Sequence, residues 1–132
     1  MTALLNIDLD LTGTQPFDTL HHELDQGLFI LYEEVDEGGT HHASYETNLA
    51  SYDGPDEVFA EFVRILDGLS AVAVTQWRSL DERVFDLGVR AEVPSSHVEI
   101  SPEMLNAIAR HRARLVITTY PPEPAAAPEK KL

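Results

Sequence analysis

From Leu5 to Leu11 apolar and polar residues alternate strictly. Leu5, Ile7, Leu9 and Leu11 fall on one side and Asn6, Asp8 and Asp10 on the other, which predicts a half-buried strand over Leu4–Leu11. Beyond the turn TGTQP the period changes. Phe17, Leu20, His21 and Leu24 recur at helical spacing, so a short helix follows Pro16, and Gly27 suits the position just past its end. LFILYEEV (Leu28 to Val35) reads as a second strand. DEGGT then turns the chain, its glycine pair supplying the positive φ values of a tight hairpin, and HHASYETNL returns as the partner strand.

YDGPDEVFAEFVRILDGL predicts the longest helix. Pro55 suits the first helical position, and Asp56 and Glu57 complement the positive end of the helix dipole. Val58, Phe62, Ile65, Leu66 and Leu69 form its apolar stripe, and Gly68 ends it. AVAVTQW (Ala71 to Trp77) reads as a buried strand. RVFDLGVRAEV alternates again, with Phe85, Leu87, Val89, Ala91 and Val93 inward. A third helix starts at Ser101 as cap and Pro102 as first residue, with Leu105, Ile108 and Ala109 inward. Arg110, Arg112 and Arg114 crowd its C-terminal end, where cations are favoured. LVITTY (Leu115 to Tyr120) is the last strand. The order β-α-β-β-α-β-β-α-β predicts a single α+β domain over residues 1–120. Its sheet is mostly antiparallel, with three helices on one face and split βαβ units. Residues 121–132, PPEPAAAPEKKL, predict a mobile Pro/Ala-rich tail.

The second half carries a family resemblance. The long amphipathic helix, the S-P-E-x-L helix start (Ser101, Pro102, Glu103, Leu105) and the final strand ending in Tyr120 resemble an uncharacterised bacterial family, domain of unknown function number 4279. The resemblance covers about half the chain, and its motifs are folding signals. The first half departs from it, lacking the proline- and glycine-marked segment before the middle helix. Some members of that family look like immunity proteins kept beside bacterial toxins, so the resemblance implies an inhibitor that binds another protein.

Charge sharpens that expectation. The net charge is −14. Residues 1–63 hold 14 acids and no lysine or arginine, and the remaining nine acids and all nine basic residues lie in 64–132. A field of one sign attracts partners of the other sign. Direct nucleic-acid binding is disfavoured, because it depends on neutralising phosphates. The chain has no apolar run of the length of about 20 residues that a membrane span needs, and no signal-peptide pattern. Having no cysteine, it has neither a disulfide framework nor a thiolate site. The expectation is a cytoplasmic protein, monomeric or homodimeric through a sheet edge, that needs no cofactor.

Two histidine pairs raise the question of metal chemistry. On a strand His41 and His42 point to opposite faces, and on a helix His21 and His22 diverge by about 100°, so neither pair chelates by itself. A metal site would combine His21, His41 or His42 with a carboxylate. Asp25 is four residues after His21, and Asp8 with Asp10 forms a D-x-D pair on one strand face. Such a metal-dependent enzyme or small-ligand binder is the alternative expectation. There is no HExxH, no G-x-S-x-G, no P-loop and no G-x-G-x-x-G, so hydrolase and nucleotide motifs are absent. Ser70 lacks a nucleophile's flanking pattern, and Trp77 reads as core.

The leading expectation is a non-enzymatic acidic protein that engages a basic protein partner, a toxin among the possibilities. Its binding surface would be the hairpin: Glu33, Glu34, Asp36 and Glu37, with Tyr32, Tyr45 and Glu46 as neighbours. Mutual repulsion makes such a cluster costly for packing and suited to binding. Tyrosine, with its flat apolar body and polar tip, is good interface material. As ordinary sheet neighbours, Tyr32 and Tyr45 would instead pair across the hairpin.

Overall fold

The computed structural model describes residues 3–91 and 97–122. In chain order the elements are β1 (Leu4–Gly13), α1 (Asp18–Gly27), β2 (Leu28–Val35), β3 (His41–Thr47), α2 (Pro55–Asp67), α3 (Ala71–Ser79), β4 (Glu82–Arg90), α4 (Pro102–Arg110) and β5 (Arg114–Tyr120). The five strands make one sheet in the order β2-β3-β1-β4-β5. β3 and β4 flank β1 antiparallel, β2 pairs antiparallel with β3, and β4 pairs parallel with β5. The sheet is therefore mixed. β1 and β2 run parallel with β3 between them, and β3 and β4 run parallel with β1 between them, so both connections are split crossovers. Of the helical connections, only β4-α4-β5 joins direct neighbours.

The expected count of three helices is wrong, because Ala71–Ser79 is a helix and not a buried strand. Ser70 caps it, its side chain accepting a hydrogen bond from the Ala73 N–H at 3.2 Å. Ala73, Trp77 and Leu80 are buried while Ala71, Val72 and Thr75 are exposed. That is helical spacing, and the AVAV run conceals it because half of its apolar side chains face water.

The core lies between one sheet face and the four helices. Leu9, Leu11, Tyr45, Phe85 and Leu87 from the strands meet Leu20, Leu24, Phe59, Phe62 and Trp77 from the helices. Phe59 and Phe62 both set their rings edge-on to Phe85, at centroid distances of 5.2 and 5.1 Å. Burying each such side chain contributes about 1.5–3 kcal/mol, which explains why α2 packs across the middle of the sheet.

Three faces differ from expectation. A bulge between Leu4 and Asn6 moves the alternation of β1 by one residue, so Leu4 is buried and Leu5 is 39% exposed. In α2 Phe59 is fully buried, while Ile65 and, just beyond the helix, Leu69 are partly buried at the margin. In α4 the inward residues are Met104, Ala107 and Ile108; Leu105 and Ala109 face outward. Gly27 ends α1 without a positive φ. Its role is close approach, since a Cβ there would lie 2.9 Å from Ile65 Cδ1 on α2. Val93 and residues 123–132, where an inward strand residue and most of the tail were expected, lie outside the described residues. No described helix is long and apolar enough to cross a membrane.

Candidate functional site

Strand order decides what the helix-free sheet face presents. On β1, Asn6, Asp8, Asp10 and Thr12 alternate with the core leucines and so point away from the helices. Registers then align the neighbours. Asp8 lies opposite Asp86 of β4, and Asp10 lies opposite Ser44 of β3. On β3 the outward residues are His42, Ser44 and Glu46; on β2, Phe29, Tyr32 and Glu34 pair with them. The centre of this face is a patch of carboxylates from three adjacent strands, and Phe29 (55% exposed) and Tyr32 (51%) stand beside it. Tyr120 (47%) stands at the far side. The basic residues in register with this face, Arg90 and Arg114, sit at the ends of β4 and β5.

These carboxylates are under electrostatic tension. Asp8 is half-buried, and its pKa is pushed up to about 6, first by burial and then by Asp10, Glu46 and Asp86. Burial also raises Asp10, helped by Asp86 and opposed by a 2.5 Å hydrogen bond from the Ser44 hydroxyl. Thr118 donates to Asp86 at 2.8 Å. Tyr32 is raised by partial burial and by Asp10 and Glu34. The Ser44 and Thr118 hydroxyls orient Asp10 and Asp86, and the charges that act on Asp8 are the carboxylates of Asp10, Glu46 and Asp86. A cation arriving from outside would be favoured here by Coulomb attraction in a partly desolvated setting.

The hairpin divides its acids among different tasks. Asp36 organises the turn: its carboxylate accepts from the Gly38 and Thr40 N–H groups at 2.9 and 3.0 Å and meets His42 Nε2 at 3.0 Å. These contacts, His42 foremost, hold it below the usual carboxylate range. Gly39 supplies the positive φ, at 83°. Glu33 turns to the helical side, where it meets His21 Nε2 at 3.0 Å. Of the expected partner-binding residues, Tyr32, Glu34 and Glu46 share the open face, and Glu37 is exposed at the turn. Tyr45 does not join them. A register shift between Ile30 and Tyr32 puts Tyr45 opposite Ile30, so the two tyrosines lie on opposite faces rather than pairing across the hairpin.

Tyr45 is fully buried, and its hydroxyl lies 2.6 Å from His21 Nδ1. Its pKa is raised by burial and by Glu33 and Asp25, so the phenol keeps its proton while hydrogen-bonded to Nδ1. The other ring nitrogen, Nε2, faces Glu33. Of this Tyr45–His21–Glu33 chain, His21 and Glu33 border a cavity of about 240 Å³ together with His41 and His42. Both ring nitrogens of His21 are thus occupied. His41 packs against Phe17 at 6.3 Å between ring centroids, and His42 is held by Asp36. Among the described residues no three His, Asp or Glu side chains are placed to hold a metal ion.

Asp86, Ser44, Thr118, Phe29 and Tyr120 are absent from the sequence-derived site. The outward alternation of Asp86 in VFDLGV is a legible signal, but its place beside Asp8 depends on pairing with a strand more than 70 residues away. Comparison with protein-family models, curated proteins and solved structures gives no match for this chain.

Proposed function

We propose that this protein is a binding protein whose helix-free sheet face, centred on Asp8, Asp10, Glu46 and Asp86, receives the basic surface of a protein partner. The carrying observation is the half-buried Asp8 carboxylate, destabilised by three acidic neighbours and by burial. A lysine or arginine from a partner would remove that penalty, so the unbound face holds free energy that binding releases. Phe29 and Tyr32, both more than half exposed beside the acids, offer the aromatic anchors typical of interface cores. A toxin with a basic active-site cleft, inhibited by this protein as the family resemblance implies, is the partner type this chemistry suits best. The hairpin contributes Glu34 and Tyr32 to the same surface, and Asp36 supports the turn that carries them.

The test is capture from a bacterial lysate on immobilised full-length protein at low salt, beside a D8N/D10N/E46Q variant with Asp36 left intact. A basic protein retained stoichiometrically by the native chain and lost with the variant supports the proposal. Equal retention by both, or no protein retained by either, refutes it.

A further inference from the structure

A chain of net charge −14 gathers four of its nine basic residues around one groove. This groove, of about 710 Å³, lies in the helical layer where the C-terminal ends of α2, α3 and α4 meet. Its cationic lining is Arg78, Arg83, Arg110 and Arg112, against a single carboxylate, Asp67; Leu69, Val74 and Trp77 supply an apolar wall.

The four arginines are not equivalent. Arg110 is neutralised by Asp67 through contacts of 2.8 and 3.3 Å, and His111 shares that carboxylate at 2.9 Å. Arg83 is structural: it donates to the carbonyls of Trp77, Leu80 and Arg112 at 3.0, 2.9 and 3.2 Å, closing the C-terminal end of α3. Arg78 and Arg112 have no carboxylate within ion-pair distance among the described residues. Arg112 also occupies a backbone position where glycine is the usual residue. Its φ is 56°, and the bonds Arg112 N–H to Ala109 O (2.9 Å) and Ala113 N–H to Ile108 O (3.1 Å) form a Schellman cap after α4. A long cationic side chain at a left-handed position costs about 1 kcal/mol, and such strain concentrates at ligand-binding sites. Trp77 is held in place by its own Nε1–H, which donates to the His111 carbonyl at 3.0 Å.

We propose that the groove binds a small organic oxyanion, its phosphate or carboxylate head held by Arg78 and Arg112 and its apolar body set against Leu69, Val74 and Trp77. Guanidinium groups match such heads bidentately, and the adjoining wall selects for an aromatic or aliphatic body over the bare ion. The site is separate from the acidic sheet face, so each proposal stands or falls alone.

Trp77 is the only tryptophan, so its fluorescence reports on this groove. The full chain is titrated with phenyl phosphate and with benzoate, with inorganic phosphate and acetate as the bare heads. Ionic strength is kept physiological, where a Debye length of about 8 Å screens the distant acids. The expected result is saturable binding of phenyl phosphate or benzoate, in the millimolar range or tighter and stronger than its bare head. Whichever aromatic probe binds identifies the head group. R78Q/R112G, in which glycine suits the left-handed position and preserves the fold, should weaken binding by at least about tenfold. R64Q, which removes a charge outside the groove, should leave it unchanged. Absence of saturable binding by both aromatic probes, or equal affinity in R78Q/R112G, overturns the proposal.

Discussion

Asp8 links the geometry of the open face to a measurable pH dependence. Its folded pKa of about 6 exceeds the usual 3.8, so between those values the folded state holds the proton more tightly than the unfolded chain. The resulting stability is present at the acid end and is lost as pH rises through 6. A shift of this size would correspond to about 3 kcal/mol in a sealed interior, but the side chain is half exposed and solvent screening reduces it to about 1 kcal/mol. Asp10 shifts the same way and adds to the slope. Asp8→Asn should therefore raise unfolding stability by about 1 kcal/mol at about pH 7 and by less at about pH 5, measured by urea denaturation. An equal effect at both pH values would show that Asp8 is not under tension. The outward direction of Asp8 and Asp10 is legible from alternation with leucine. Their tension is not, because it arises first from burial within the sheet and is increased by Asp86, and for Asp8 also by Glu46, from other strands.

Among the elements, α3 shows where local pattern and tertiary context part. Its run of small and β-branched apolar residues resembles a strand, yet Ser70 begins a capped helix and presents only Ala73, Trp77 and, just beyond, Leu80 to the core. The cap is tied to α1 as well, since the Ser70 N–H and hydroxyl both donate to the Glu23 carboxylate. Replacing Ser70 with alanine removes the side-chain acceptor for the Ala73 N–H and the hydroxyl bond to Glu23. A loss of about 1 kcal/mol in unfolding free energy is expected, with helical content retained by circular dichroism. Unchanged stability would mean that another group satisfies the first turn of α3. By contrast α2 and the hairpin were legible in full outline, because Pro55, Asp56 and Glu57 at a helix start and a glycine pair at a turn act within a few residues. The rotation of α4, which buries Ala107 and exposes Leu105, was not legible. Both faces of that short helix offer an apolar side chain, and contact with its neighbours chooses between them.

For the whole molecule, the dominant feature is segregation of charge. Four acids of the first 63 positions, Asp8, Asp10, Glu34 and Glu46, meet Asp86 on the open sheet face, while arginines from α3, β4 and the end of α4 gather at one groove in the helical layer. The acidic patch and the arginine groove thus lie on different sides of the sheet, so the two proposed ligands, a basic macromolecule and a small anion, would not compete for one surface. For the proposed protein partner, association should slow by about an order of magnitude from low to physiological ionic strength while dissociation changes little, measured by surface plasmon resonance. A salt-independent association rate would remove electrostatic capture from the account.

The sequence by itself determined the α+β class, the position of β1, the hairpin, α2 and the helix starts at Pro55 and Ser101. It also determined the acidity of the first half. Each of these follows from periodicity, capping chemistry or composition, which depend on residues close together in the chain. Only the tertiary structure decided that β1 lies between β3 and β4, which makes one patch of Asp8, Asp10, Glu46 and Asp86. It alone directed Glu33 and Tyr45 inward to His21 and assembled an arginine groove from three helix ends. Strand order and helix docking are set by burying Phe59, Phe62, Phe85 and their neighbours together. That is a property of contacts between distant segments, and no local pattern contains it.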